Sequence, residues 1–223
     1  MIGIVIPAHD EEELLADCLQ AARIAAAHPE LRGELVRIVV ALDSCTDRSA
    51  SIARCFDTHA LSLDVRNVGK ARAAGAAALL EQGVRWLAFT DADSRVAPDW
   101  LVAQLALNAE AVCGPVIVDD WREHDELTRD AFYRAYMHAD GHRHVHGANL
   151  GVSALAYCRA GGFPPLACSE DVALVGLLVE TGARIAWSAA PRVVTSARMA
   201  SKVRGGFGDT LAGLAGLVSR ERK

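Results

Sequence analysis

Residues Trp86–Ser94 read WLAFTDADS, an apolar run that stops on two carboxylates, Asp91 and Asp93, one residue apart. A short apolar run bounded by polar residues is the pattern of a strand buried on both faces. Working back from it, the alanine-rich stretch Ala71–Gln82 predicts a helix, entered through a turn at Asn67–Lys70. Leu61–Val65 predicts a short strand, and Arg48 to about Cys55 a helix capped by Thr46 or Asp47. Val36–Leu42 predicts a strand that runs directly into DSCTD, and Ile2–Ile6 a β-branched strand ended by Pro7. A helix is expected from near Asp10, with Glu11, Glu12 and Glu13 in its first turn. Strand and helix thus alternate with short connections, which predicts right-handed βαβ units on a parallel sheet. Ligands of such sheets bind beyond the carboxyl ends of the strands, where His9–Glu11, Asp43 and Asp91–Asp93 all fall.

Composition narrows the reading. The chain has 223 residues, 52% of them hydrophobic, enough for one α/β domain with a large core. We expect a single unit over 1–223, with a nucleotide-binding half (1–110), an acceptor-side half (111–197) and a C-terminal tail (198–223). The net charge of −5 lacks the basic footprint of a nucleic-acid partner. The six cysteines show no CxxC spacing, as expected of reduced thiols in the cytoplasm. No apolar run reaches the roughly 18–20 residues that a membrane span needs, and the N-terminal run is too short for a signal peptide.

In extended geometry Asp91 and Asp93 face the same way. Two hard oxygen donors on one side suit Mg²⁺ or Mn²⁺, which takes substrate phosphate oxygens as further ligands. The structural alternative is a capped turn, with the carboxylates bonded to nearby amides.

Five segments in order resemble a known family, over about residues 2–175. IVIPAHDEEELL is similar to the opening of the inverting nucleotide-sugar glycosyltransferases of the GT-A fold, the large family two, usually a strand and P-x-x-N-E-E. VALDSCTDRS resembles that family's second-strand segment, NVGKARAAG its N-x-G-x-x-x-A-R-N-x-G turn, and TDADS its D-x-D. GGF followed by SEDVAL, Ser169–Leu174, resembles its G-G-F and E-D-x-x-L. The resemblance implies a GT-A-like three-layer α/β sandwich with a mostly parallel central sheet. It also implies metal-dependent, inverting sugar transfer from a nucleoside-diphosphate sugar, a UDP-sugar being favoured.

Residue by residue, the resemblance implies that Pro7, Ala8, His9, Glu11 and Asp43 hold the nucleoside. Lys70 or Arg72 would approach the base or diphosphate, and Asp91, with Ala92, would lie on the ribose side. Asp93, with Asp91, would hold Mn²⁺ or Mg²⁺. Of the Glu170–Asp171 pair, Asp171 would be the general base. Departures are visible: His9 and Asp10 replace an aromatic residue and Asn, Leu42 replaces the first acid of the usual pair, and Arg159 alone precedes the glycine turn. Thr195–Arg198, T-S-A-R, stands where related folds have a metal-binding histidine, and Arg198 or Arg204 would clamp the diphosphate.

Beyond the motifs, residues 119–146 are polar and carry His138, His142, His144 and His146, expected as helix plus acceptor loop rather than zinc site. Trp121, His146 and Asn149 are candidate acceptor contacts. The acceptor is open: a sugar, a lipid-linked molecule or a small molecule. The apolar tail ending in SRERK allows peripheral membrane contact. Two rival readings are a non-catalytic sugar-nucleotide binder and a sugar nucleotidyltransferase. The second usually opens on a glycine-rich phosphate loop, and PAHDEEE has no glycine.

Overall fold

The structure, a computed structural model, describes residues 1–198; the tail beyond Arg198, Arg204 included, lies outside the described residues. In chain order the elements are β1 (Ile2–Ala8), α1 (Leu15–Ala26), β2 (Val36–Asp43), α2 (Ser49–Cys55), β3 (His59–Leu63), α3 (Val68–Leu80) and β4 (Trp86–Phe89). There follow β5 (Ser94–Val96), α4 (Trp100–Ala106), β6 (Ala111–Cys113), α5 (Glu126–Ala135), β7 (Leu150–Ser153), α6 (Ala154–Arg159), α7 (Glu170–Glu180), β8 (Ile185–Trp187) and β9 (Val193–Thr195).

Seven strands form one sheet in the order β3-β2-β1-β4-β7-β6-β8. β1 pairs in parallel with β2 and β4, and β2 with β3, while β7 runs antiparallel to both its neighbours. β1 lies inside the sheet and is covered on both faces, which explains its nearly unbroken apolar sequence. On one face Ile2, Ile4 and Ile6 pack with Leu15 and Leu19 of α1 and with Trp100 and Leu101 of α4. On the other, Val5 packs with Leu79 of α3, Leu174 and Leu178 of α7, and Phe89. Each such side chain, fully buried, contributes about 1.5–3 kcal/mol. Helices on both faces of a mostly parallel sheet make the expected three-layer α/β arrangement.

Three local expectations are corrected. The first helix begins at Leu15 rather than near Asp10. Asp10 has φ +50°, and its carboxylate accepts from the amides of Thr46 (2.7 Å) and Asp47 (3.2 Å). Glu12 likewise accepts from the Arg48 amide (2.9 Å), so these acids tie the β1 loop to the β2 loop instead of capping a helix. Second, Asp91–Ser94 is a turn, closed by the Ser94 amide on the Asp91 carbonyl (3.1 Å), so the two aspartates are not on an extended strand. Third, that turn leads into β5, which pairs antiparallel with β9 in a separate two-stranded sheet. β5 and α6 have no counterpart in the sequence reading. The β5–β9 pairing carries the chain from Thr195 to Arg198 back over the Asp91–Asp93 turn. All six cysteines are free thiols, and among the described residues no helix is long and apolar enough to cross a membrane.

Candidate active site

A cleft of about 540 Å³ opens at the carboxyl edge of β1, β2 and β4. β1 brings Pro7, Ala8, His9 and Glu11 to it, β2 brings Asp43, and the turn after β4 brings Asp91, Ala92 and Asp93. β1 lies between β2 and β4, so Asp43 is two strands away from the aspartate turn. Arg72 enters from α3, Glu170 and Asp171 from the start of α7, His146 from the loop before β7, and Arg198 from the segment after β9.

Asp43 anchors one side. Its Oδ1 accepts from the amides of Val65 (2.8 Å) and Arg66 (2.9 Å), and its Oδ2 from that of Asn67 (2.8 Å). Burial pushes its carboxyl up, but the three amides outweigh burial and hold it below the usual carboxylate range. The same contacts fix the turn into α3, where the Asn67 side chain caps the helix by accepting from the Lys70 amide (2.9 Å). His9 is tied to the same strand end, its Nδ1 lying 2.7 Å from the Asp43 carbonyl oxygen.

Two arginines partition the remaining acids. Arg72, 4% exposed, donates to Glu170 through Nη1 and to Asp91 through Nη2. Gly147 lies against this guanidinium: a Cβ there would sit 2.2 Å from Nη2. Arg198 holds Glu11 in a two-pronged contact (2.6 and 2.8 Å), and its Nη2 lies 3.1 Å from Asp93 Oδ2. Burial, reinforced by the charge of Asp91, pushes the Asp93 carboxyl up to about 6, while Arg198 pulls it back down. Cys18 donates its thiol to the Asp91 carbonyl (3.2 Å) and supports the turn from beneath.

Glu170 and Asp171 begin the same helix, where the helix dipole favours acids, yet they diverge. Glu170 is buried at 3% exposure on Arg72. Asp171 turns to the cleft, its Oδ2 accepting from the Gly147 amide (2.7 Å) and its Oδ1 from the Val172 amide (2.8 Å). Facing it, the Tyr136 hydroxyl accepts from the Val116 amide (2.9 Å) and lies 2.6 Å from His146 Nε2. Burial, then the neighbouring His144, pushes the His146 imidazole down to about 4. His144 stacks on Tyr136 with ring centres 3.9 Å apart.

The donor set fits a hard divalent cation. Asp91, Asp93 and Glu11 bring hard carboxylate oxygens together at the cleft floor, the donor type such an ion takes. A different triad, Asp10, Cys45 and Asp47, has ligand atoms within 4.8 Å of one another. Its carboxylates already accept from the amides of Thr46, Glu12 and Ser49, which makes it a loop stitch. Among the described residues the histidines of 138–146 form no such group.

Three candidates lie elsewhere. Lys70 is exposed on the first turn of α3 and does not line the cleft. Trp121 packs on Phe132 and Tyr133 and donates to the Val118 carbonyl (3.2 Å). Asn149 is fully buried: it accepts from Trp100 Nε1 (2.9 Å) and donates to the carbonyls of Pro115 and Pro191 (2.8 Å each). The cleft also uses Tyr136 and the Gly147 amide, which the sequence reading passed over, and His144 of the expected acceptor loop. A backbone donor has no side-chain signature, and Tyr136 sits at the end of α5, where helical spacing alone reads it as a packing residue.

Among solved structures, the fold is shared with S. aureus TarS 1–349 in complex with UDP-GlcNAc: TM-score 0.68 at 13% identity, over 99% of this chain and 66% of that one. It is shared with the mannosyltransferase PcManGT from Pyrobaculum calidifontis in complex with GDP-Man and Mn²⁺: TM-score 0.63, 18% identity, 88% and 57%. Glucosyl-3-phosphoglycerate synthase from Mycobacterium tuberculosis, in complex with Mn²⁺, UDP and glucosyl-3-phosphoglycerate, gives TM-score 0.59 at 15% identity, over 96% and 76%. The chain spans 36% to 66% of the length of the TarS chains it matches. No curated protein shows significant similarity to it. The family model for glycosyl transferase family 2 matches residues 3–150, from β1 through the aspartate turn to the start of β7, and the chain belongs to that family.

Proposed function

We propose that the chain transfers a sugar from a nucleoside-diphosphate sugar, a UDP-sugar being favoured, to an acceptor hydroxyl, with inversion at the anomeric carbon. The observation that carries the reading is one cleft with a carboxylate floor, Asp91 and Asp93, and a separate carboxylate, Asp171, held at its other wall by the Gly147 amide. Asp43 and the Pro7–Glu11 segment seat the nucleoside. Mn²⁺ or Mg²⁺ held by Asp91 and Asp93 would neutralise charge on the departing diphosphate. Asp171 takes the proton of the acceptor hydroxyl as its oxygen bonds to the anomeric carbon and the bond to the diphosphate breaks. Glu170, committed to Arg72, holds that guanidinium against Asp91 and does not take the proton. Solved relatives carry UDP-GlcNAc, UDP or GDP-Man, which supports a nucleotide-sugar donor and leaves the base to experiment.

The test is thermal unfolding with UDP, GDP, dTDP and CMP, each with and without Mn²⁺. A ligand of the native state adds about 2.7 kcal/mol at a hundredfold excess over Kd. The expected result is a shift with UDP that requires Mn²⁺ and disappears in Asp93→Ala. No shift with any of the four nucleotides sinks the reading.

A further inference from the structure

Arg198 stands out in the cleft because one guanidinium serves two acids that the proposed function assigns to different parts of the donor. It grips both oxygens of Glu11, on the nucleoside side, and the nitrogen that reaches Glu11 Oε1 at 2.6 Å also lies 3.1 Å from Asp93 Oδ2. Glu11 is 187 residues away in sequence, so the contact exists only because β9 pairs with β5 and returns the chain over the aspartate turn. The Glu11 and Asp93 side chains are 8% and 17% exposed, and an unpaired carboxylate at that depth carries a desolvation cost that Arg198 offsets. Asp93 Oδ1 accepts from Ser94 Oγ (3.2 Å), so a cation on Asp93 shares with the guanidinium a carboxylate that is already engaged on its other oxygen.

We propose that Arg198 is the resident counter-cation of the donor site, holding Glu11 and Asp93 in place of a divalent ion until nucleotide and ion arrive together. The inference rests on the donor-site reading above. Its consequence is an order of binding. Without nucleotide, a metal ion competes with a tethered positive charge and binds weakly. With a nucleoside diphosphate present, the displaced guanidinium gains a new anionic partner in the diphosphate, and the competition is relieved. Arg198 therefore couples the segment after β9 to donor occupancy and keeps the empty site from trapping stray divalent ions.

Mn²⁺ affinity, read by calorimetry and by the electron spin resonance signal of the unbound ion, tests this on the full chain. Wild type, Arg198→Gln, Arg198→Ala and Arg198→Lys are compared without nucleotide and with saturating UDP. Circular dichroism melts confirm that each variant is folded; Arg198→Gln keeps hydrogen-bonding capacity if Arg198→Ala does not fold. Removing one charge about 3–4 Å from the ligand oxygen is expected to tighten nucleotide-free Mn²⁺ binding on the order of tenfold in the neutral variants. Arg198→Lys, which retains the charge, stays close to wild type. With UDP the gain shrinks or reverses, because the diphosphate loses its partner. Equal or weaker Mn²⁺ binding in both neutral variants, with UDP still bound by wild type, overturns the counter-cation role and leaves the donor-site reading standing. Failure of wild type to bind UDP in the presence of Mn²⁺ strikes the donor-site reading itself, and this inference with it.

Discussion

Glu170 and Asp171 are adjacent acids at one helix start, and the structure predicts opposite consequences for removing them. Glu170 and Arg72 have side chains 5% and 4% exposed, so Glu170→Ala leaves a guanidinium in a dry site with one partner fewer. Breaking a buried pair from one side costs about 3–5 kcal/mol. Arg72 keeps Asp91, whose side chain is 35% exposed and partly screened, so the lower end, about 3 kcal/mol, applies. For a chain of this size that is a fall in Tm of about 6–12 °C. Asp171→Asn keeps one carbonyl oxygen for the Gly147 or the Val172 amide, and loses about 1–2 kcal/mol. Its effect falls on chemistry instead: release of UDP from a UDP-sugar, with water as acceptor, drops by about 10²–10⁴ at unchanged UDP affinity. Thermal melts followed by circular dichroism and a coupled UDP assay read the two quantities separately. A Tm for Glu170→Ala within about 2 °C of wild type, or turnover by Asp171→Asn at the wild-type rate, refutes the division of roles.

Three further outcomes follow from the packing and the titration behaviour. A Cβ on Gly69 would lie 2.5 Å from the Pro164 carbonyl oxygen and 2.7 Å from that of Leu166, so Gly69→Ala should cost about 1–3 kcal/mol in a urea melt; a loss under about 0.5 kcal/mol means the loop before α7 yields freely. Asn149→Ala orphans Trp100 Nε1 and two proline carbonyls, and should cost about 3 kcal/mol or more while UDP affinity of the folded protein holds; weakened UDP binding at full stability would return Asn149 to the site. His146 is depressed from 6.5 to about 4, so its contribution is fully present above pH 6.5 and is lost as pH falls from 6.5 toward 4. Within that window the unfolded chain binds a proton the native chain does not, and stability falls by up to about 1.4 kcal/mol per pH unit. Denaturation at pH 7.5, 5.5 and 4.5 should show a shallower pH slope in His146→Phe than in wild type, and identical slopes would assign the dependence to another group.

What was legible in the sequence was whatever a strand or helix carries along its own length. β1, β2 and β4 are covered on both faces, so their apolar runs announced them within a residue or two, and the acids just past their ends marked the cleft edge. β5 and β9, three residues each, carry too little pattern to show that they pair across 96 intervening positions. Asp10 shows a second limit. Its sequence surroundings satisfy a helix start, but a positive φ and two amides of the β2 loop compete for the same carboxylate, and the tertiary contacts win. The charge partners form the third class. Local rules treat Glu170 and Asp171 alike, since both gain from the dipole of α7. They separate only because Arg72 reaches under Gly147 to Glu170, and because the Gly147 amide is then turned toward Asp171. The same logic governs Glu11 and Asp93. Acids converging on one sheet edge imply a cation, and the sequence reading supplied it as a metal. Chain topology supplies another, Arg198, whose place is set by a three-residue strand pairing outside the central sheet.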